Sequence, residues 1–446
     1  METKIEIRYL HEEKYYSENE LLKSLKVKNI DLLYKELGLK GILKKEESKG
    51  YKFSYVGLII FKEENIIKPI VILPKYLKNI DLTKADRVEK TKQLIKLFKR
   101  YSSENLSEEE LETIGTDFNA NNFNIIALID YLISDYIEYG LYFNEISDYE
   151  LNGNGEINWQ KTIEENTAYL SNNQVFYLDY FTSKSEFNEQ DYIRNLHKYI
   201  LNKCSEIIEN IEIFEVLDFP KMDFLVDENL LENKNFMLKK IENEMQIQFS
   251  ERKLRVLKAM HNFLEKEKSI ESDDSLTLYG TKSFYNIWEK ACGFILGNEY
   301  DKYKNLIAKP NWKALNSFTD NLKDTLIPDI LRNIETTFFI FDAKYYNIHF
   351  DKKGNLQGFP PGINDLVKQY AYELAFKETE KNIKNFFVIP SMKVDKKITG
   401  KVELDFFKQL SPIYILELNP KQVFQKYIEN ITEEKTFFEE ILKSLV

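Results

Sequence analysis

Leucines at 21, 22 and 25, and again at 32, 33 and 37, recur at helical spacing among polar neighbours. They predict a pair of short helices over residues 20–45, ending at the glycines of Leu37-Gly38-Leu39-Lys40-Gly41. From 51 to 76 the period shortens. Tyr51-Lys52-Phe53-Ser54-Tyr55-Val56 and Ile70-Val71-Ile72-Leu73 are aromatic or β-branched runs separated by the polar turn Lys62-Glu63-Glu64-Asn65, which predicts a small sheet of two or three strands. Helical spacing returns over 84–146, with Ile95, Leu97 and Phe98 and then an amphipathic run from Asn124 through Tyr139. Asn152-Gly153-Asn154-Gly155 breaks that texture as a turn.

The polar stretch Thr182-Ser183-Lys184-Ser185-Glu186 is the best candidate for a domain boundary, so the expected division is 1–183 and 184–446. Residues 188–212 and about 234–268 read as long helices. After 275 the order is mixed: Phe284 to Leu296 helical, Leu326 to Leu331 and Thr337 to Tyr346 strands, Asn364 to Ala375 helical, then strands at Asn385 to Pro390 and Ile413 to Leu418. Such alternation predicts a mixed α/β (α+β) fold with a sheet flanked by helices. No fixed-period repeat points to a solenoid.

At 446 residues the chain has the length of two or three domains and ample material for a core. Aromatic residues reach 14% while Gly (15) and Pro (10) are scarce, which excludes disorder and collagen-like repeats. Sixty-two Lys plus Arg against 73 Asp plus Glu leave a formal charge of −11, so nucleic acid can be held only by a local patch. Two cysteines far apart, Cys204 and Cys292, and a start without a signal-like segment give a cytoplasmic expectation. Apolar runs such as Val56-Gly57-Leu58-Ile59-Ile60-Phe61 are too short to span a bilayer.

The chemistry is concentrated in Leu326-Ile327-Pro328-Asp329-Ile330-Leu331 and Phe338-Phe339-Ile340-Phe341-Asp342-Ala343-Lys344. Each run places charge inside an apolar strand, where burial is costly unless the charge is paired or holds a metal. Facing residues of an antiparallel hairpin have a constant index sum. Pairing Asp329 with Asp342 puts the turn between Glu335 and Thr336, inside a polar stretch. Facing Cβ atoms lie about 5 Å apart, a separation at which two carboxylates can share one hard cation. Asp342 and Lys344, two residues apart, share a strand face. Asp329, Asp342 and Lys344 together supply what Mg²⁺-dependent phosphodiester hydrolysis needs: a metal site that acidifies water, and a cation for developing charge. An acid-x-Lys triplet alone carries little weight, since Glu2-Thr3-Lys4, Asp351-Lys352-Lys353 and Asp395-Lys396-Lys397 match it too. The bland alternative is an Asp342–Lys344 surface pair on an edge strand.

Other residues point to less. His11, His197, His261 and His349 lack the spacing of a zinc site. Cys292, between Trp288 and Phe294, reads as a packing residue, and Trp159 reads as core. Basic residues between Lys239 and Lys258 are diluted by Glu242, Glu244 and Glu251, as on a solvated helix. The only Gly-Lys dipeptide, Gly400-Lys401, is followed by Val402, so no P-loop is present.

The Pro-Asp and Asp-x-Lys elements together resemble the PD-(D/E)xK nucleases. The surrounding blocks narrow the resemblance to the LlaJI-type restriction endonucleases, which are similar to McrC, the nuclease subunit of McrBC systems. These blocks are Val56-Gly57-Leu58-Ile59 with Ile72-Leu73-Pro74-Lys75-Tyr76, Asn152 to Trp159 with Lys161-Thr162-Ile163, Leu278-Tyr279-Gly280-Thr281-Lys282-Ser283-Phe284 with Ile287-Trp288-Glu289-Lys290, and Pro361-Gly362-Ile363-Asn364-Asp365 with Lys368-Gln369-Tyr370. Residues 200–270 match only in helical character.

The resemblance implies that Asp329 and Asp342 bind Mg²⁺, with Mn²⁺ as a substitute, and that Lys344 is the catalytic lysine. Glu289 corresponds to a helix glutamate that supports the metal, and Gln369 to a helix polar residue packed nearby. It also implies an N-terminal part that engages a separate McrB-like AAA+ GTPase, a C-terminal PD-(D/E)xK domain with a helical insertion, and double-stranded DNA as substrate in an antiphage restriction system. Two competing expectations are a non-catalytic subunit that stimulates the partner GTPase and a standalone type II endonuclease.

Overall fold

In the computed structural model the described residues are 6–27, 30–63, 66–102, 125–143, 145–172, 174–187, 192–211, 213–266, 276–315, 325–380, 382–393 and 396–445. Glu64 and Asn65 of the expected turn, Asn124 at the expected start of its run, and Asp395 lie outside them. The chain forms two compact units, one of residues 1–115, 215–217 and 278–446, the other of 116–214 and 218–277. The first unit is thus built from both ends of the chain. The boundary expected at 183/184 falls within the second unit, inside strand Phe181–Phe187, whose backbone pairs with Glu145–Leu151 on one side and Glu156–Ile157 on the other. A polar run reads as a linker only when nothing pairs with its backbone.

In the first unit, the leucine pattern near the start forms helices Glu18–Leu25 and Ile30–Leu39. Ser17 caps the former by accepting from the Glu20 amide, while the Glu20 carboxylate accepts from the Ser17 amide. The stretch 51–56 divides between two sheets. Gly50–Phe53 joins a three-stranded sheet with Leu43–Glu46 and Tyr15–Tyr16, whereas Val56–Glu63 (β2) joins a four-stranded sheet. That sheet runs β1 (Arg8–His11), β3 (Ile66–Leu73), β2, β4 (Leu276–Thr281). Gly57 and Gly280 bring β2 and β4 together: a Cβ on Gly280 would collide with the Val56 carbonyl oxygen, and one on Gly57 with that of Tyr279.

The second sheet of this unit carries the chemistry. Its strands are β5 (Ile330–Ile334), β6 (Thr337–Ala343), β9 (Ile383–Pro390), β10 (Lys396–Val402) and β11 (Ile413–Leu418), in the order β5, β6, β9, β11, β10. The hairpin of β7 (Ile348–Phe350) and β8 (Leu356–Gly358) follows β6 in sequence. Ile330 pairs with Phe341 and Ile334 with Thr337, which is the register of the expected hairpin, and Glu335 takes the left-handed conformation (φ 53°) at its turn. β6 is buried along its whole length, covered on both faces, which explains its nearly continuous apolar run. Phe338 and Ile340 pack on one face against Tyr372 and Phe376 of helix Ile363–Phe376 (α2). Phe339 and Phe341 stack on Phe386 and meet Phe438 on the other. Helix Phe284–Ile295 (α1) is fixed by Trp288, whose indole N–H donates to the Val388 carbonyl of β9 (3.2 Å). The edge strand β10 and the β7–β8 hairpin do not stand out in the sequence, because β10 is half-exposed and rich in lysine.

The second unit gathers helices Ile125–Tyr139, Tyr192–Asn210, Lys234–Ile247 and Glu251–Lys266. The single helix expected over 234–268 is two, broken at Gln248–Ser250. Arg252 donates two hydrogen bonds to the buried Asp135 (3.0 and 2.6 Å), so this basic residue serves the unit's own interior. Trp159 is not core. It is 52% exposed and meets Tyr180 edge-on (ring centroids 5.9 Å apart), at the start of a short helix beside a three-stranded sheet. Among the described residues no helix is long and apolar enough to cross a membrane.

Candidate active site

Asp342 is the penultimate residue of β6 and 5% exposed. Asp329 lies one residue before β5, rather than inside a strand as the sequence suggested, because pairing starts at Ile330. Its carboxylate still turns to the end of β6, where it accepts the Ala343 amide (2.9 Å) and hydrogen-bonds with Asp342. Its backbone is secured as well, since Asn298 donates to the Asp329 carbonyl (2.8 Å). Burial first, and then the adjoining Asp342 carboxylate, raise the Asp329 pKa well above the carboxylate range. Ionising Asp329 beside the Asp342 carboxylate is costly, so without a metal ion it is Asp329 that holds its proton.

Lys344 completes the group. The backbone keeps step with β9 for one more residue through the Lys344 amide and Val388 carbonyl (2.9 Å), and the side chain returns to Asp342, with Nζ 2.9 Å from Oδ2. The same nitrogen lies 2.9 Å from Oδ1 of Asp365, in the first turn of α2. Burial works to lower the lysine pKa, but Asp342 and Asp365 outweigh it and hold the ammonium above its usual range. Asp329, Asp342 and Lys344 are therefore brought together at the end of β6.

The two helix residues fare differently. Glu289 sits on the outward side of α1, within electrostatic reach of the group: partial burial, and then Asp342, raise its pKa, with Lys344 and Lys290 acting against them. Gln369 makes its hydrogen bond to the sheet backbone. It is fully buried one helical turn beyond Asp365, where its amide donates to the Ile340 carbonyl (3.0 Å) and ties α2 to β6. Farther along α2, Glu373 accepts from Asn385 and from the Ser411 amide (2.9 Å), so this helix is clamped to the sheet by polar contacts along its inner face. Tyr372 adds another tie, donating to the Ile327 carbonyl (3.0 Å) just before Asp329. Cys292 is buried, and its thiol pKa is raised by burial and then by Asp329 and Glu289, which suits packing and not nucleophilic work.

The sequence reading missed Asp365 as a partner of Lys344. The available signal was local: Gly362 followed three residues later by an acid reads as a helix start, and the Asp365 carboxylate does accept the Gly362 amide (3.0 Å). That it also reaches Lys344 follows only from the packing of α2 on β6.

The donor set is one buried carboxylate, Asp342, and one half-buried carboxylate, Asp329, side by side. Hard oxygen donors of this kind fit Mg²⁺ or Mn²⁺. Among the described residues no set of three or more His, Cys, Asp or Glu side chains is drawn together as a metal cage, so the fit rests on the Asp329–Asp342 pair.

The profile of the LlaJI restriction endonucleases matches residues 55–421, a span that includes every residue of this group. The chain belongs to the LlaJI restriction endonuclease family. Component YdjA of the type II restriction enzyme BsuMI, from Bacillus subtilis strain 168, is 31% identical to it over 409 residues, covering 88% of this chain and 84% of the relative. A solved half-complex from the tetradecameric assembly of Thermococcus gammatolerans McrB AAA+ hexamers with bound McrC contains a similar chain. The TM-score is 0.40 at 14% identity, over 95% of this chain and 99% of that one.

Proposed function

We propose that this LlaJI-family chain is the Mg²⁺-dependent DNA endonuclease subunit of a cytoplasmic restriction system and works with a separate AAA+ GTPase. The observation that carries the reading is the convergence of Asp329, Asp342 and Lys344 at the end of a buried strand. Asp329 and Asp342 would hold the metal. When bound, the ion supplies a Lewis acid for the phosphate and an acidified water. The residues of this chain do the rest. The Ala343 amide orients Asp329, and the ammonium of Lys344 stands beside the carboxylates to offset charge developing on phosphate oxygens. Glu289 adds a third negative group at the rim of the site.

The partner rests on other grounds. The sequence blocks resemble McrC, the chain lacks a P-loop of its own, and the relative YdjA is described as one component of a restriction enzyme. The motor would thus be a second polypeptide, and the substrate double-stranded DNA. Cytoplasmic placement accords with Cys204 and Cys292 being buried thiols rather than a disulfide.

The test is to mix the purified chain with a McrB-like AAA+ GTPase from the same organism, and to measure GTP hydrolysis and DNA cutting separately. Asp342→Ala should abolish cutting while GTPase stimulation and complex assembly persist. Lys344→Ala should retain metal binding by calorimetry and lose turnover. An Asp342→Ala complex that cuts at the normal rate would remove the site assignment. Stimulated GTPase without any cutting by the unaltered chain would mark a regulatory subunit, and cutting without nucleotide would mark a standalone endonuclease.

A further inference from the structure

Lys344 has two carboxylate partners, and they differ in kind. Asp342 extends from strand β6 and belongs to the carboxylate pair; Asp365 extends from the first turn of α2, where its carboxylate accepts the Gly362 amide. Both partners lie 2.9 Å from Nζ. A carboxylate that also faces a divalent cation gives an ammonium a weaker hold, because its charge is divided between them. The second partner is free of that competition.

Asp365 is itself held in place. Oδ2 accepts the Gly362 amide (3.0 Å) while Oδ1 faces Lys344, so each oxygen has its own task. The Asp365 amide in turn donates to the Gly362 carbonyl (3.0 Å). A carboxylate in the first turn is favoured by the unpaired helix amides. The helix cannot readily shift on the sheet: Gln369 donates to Ile340, and Glu373 is fixed by Asn385 and Ser411. The side chains of Lys344 and Asp365 are 20% and 24% exposed, so water competes only partly for this contact. The ammonium therefore bridges the end of β6 and the start of an anchored helix.

We propose that Asp365 is the positioning residue of this nuclease site: it holds the Lys344 ammonium at the reacting phosphate when Asp342 serves the metal. This inference rests on the endonuclease reading above. It assigns Asp365 no contact with DNA or with metal.

Asp365→Asn is the informative variant. Its amide oxygen can still accept the Gly362 N–H, so the helix start is kept while the charge on Lys344 is removed. The variant should melt within about 2 °C of the unaltered chain and bind Mg²⁺ and DNA with unchanged affinity. Its kcat for cleavage, with the motor present, should fall roughly 10–100-fold with KM unchanged, the scale of loss for a misplaced catalytic group. Asp365→Glu, which keeps the charge, should recover part of that loss. A second readout needs neither metal nor motor. In metal-free protein, acylation of Lys344 by an amine-reactive ester, followed by peptide mass spectrometry, should be several-fold faster in Asp365→Asn. Turnover within twofold of normal, or a loss that merely tracks a lowered melting temperature, would overturn the proposal. If the unaltered chain itself does not cut DNA, the nuclease reading fails, while the acylation comparison still decides whether Asp365 holds Lys344.

Discussion

Asp329→Asn should make the metal-free protein more stable and inactive at once. The carboxyl of Asp329 is buried against that of Asp342, which raises its pKa well above the usual range. Two routes give the cost of this contact. If both acids ionise, unit charges about 4 Å apart in an effective dielectric of about 20 repel by about 4 kcal/mol. If one proton is kept at pH 8, about four units above an ordinary Asp, the cost at 1.36 kcal/mol per unit is on the order of 5 kcal/mol. The two agree, and Lys344 beside Asp342 offsets part of the total. An asparagine can still accept the Ala343 amide and donate to Asp342, so few hydrogen bonds are lost. A gain of about 2 kcal/mol remains, or roughly 4–8 °C in melting temperature.

The sign with pH follows from linkage. A carboxyl whose folded pKa is raised contributes fully below its unfolded pKa, and that contribution is lost as pH rises toward the folded value. The advantage of Asp329→Asn should therefore be small at pH 4–5 and largest near pH 8. Scanning calorimetry in chelator at both pH values measures it, and added Mg²⁺ should raise the melting temperature of the unaltered chain but not of the variant. A variant that melts at or below the parent at pH 8, or whose advantage does not change with pH, would show that the carboxylates are not in conflict.

Two further expectations concern the scaffold. Gly280→Ala drives a Cβ into the Val56 carbonyl, a backbone group between β2 and β4 that cannot swing aside; the expected loss is above about 3 kcal/mol, read as a collapse in soluble yield or in denaturant midpoint. In the second unit, buried His197 accepts the Tyr142 amide at Nδ1 (3.0 Å), and burial, aided by Arg252 and Arg194, lowers its pKa to about 3. A depressed histidine contributes above its unfolded pKa of about 6.5 and loses that contribution as pH falls. Acid should weaken this unit by about 1.4 kcal/mol per pH unit from about 6.5 down. Denaturant titrations of His197→Gln at pH 7 and 5 should show a much smaller pH dependence than the parent; an equal dependence would clear His197 of the effect.

The site was legible where it depends on local rules. A charge in an apolar run, the index sum of a hairpin and the alternation of side chains along a strand place Asp329, Asp342 and Lys344 together without any knowledge of the rest, and the observed register pairs Ile330 with Phe341 as that arithmetic requires. The helices were equally readable, since their apolar period is set by burial on one side. Strands with polar or exposed sides were not: Phe181–Phe187 resembled a linker, and Lys396–Val402 carries four polar or charged positions among its seven residues.

What the sequence by itself determined is where the chemistry is concentrated: two acids and a lysine at fixed intervals about one hairpin, in a chain with no nucleotide-binding loop. Only the tertiary structure decided which residues support that chemistry. Asp365 reaches Lys344 and Gln369 turns inward to Ile340 because α2 is seated on β6 by Tyr372 and Phe376, and that seating depends on contacts between segments far apart in the chain. Likewise, residues 1–115 and 278–446 form one compact unit, an arrangement that no local pattern of hydrophobic and polar positions encodes.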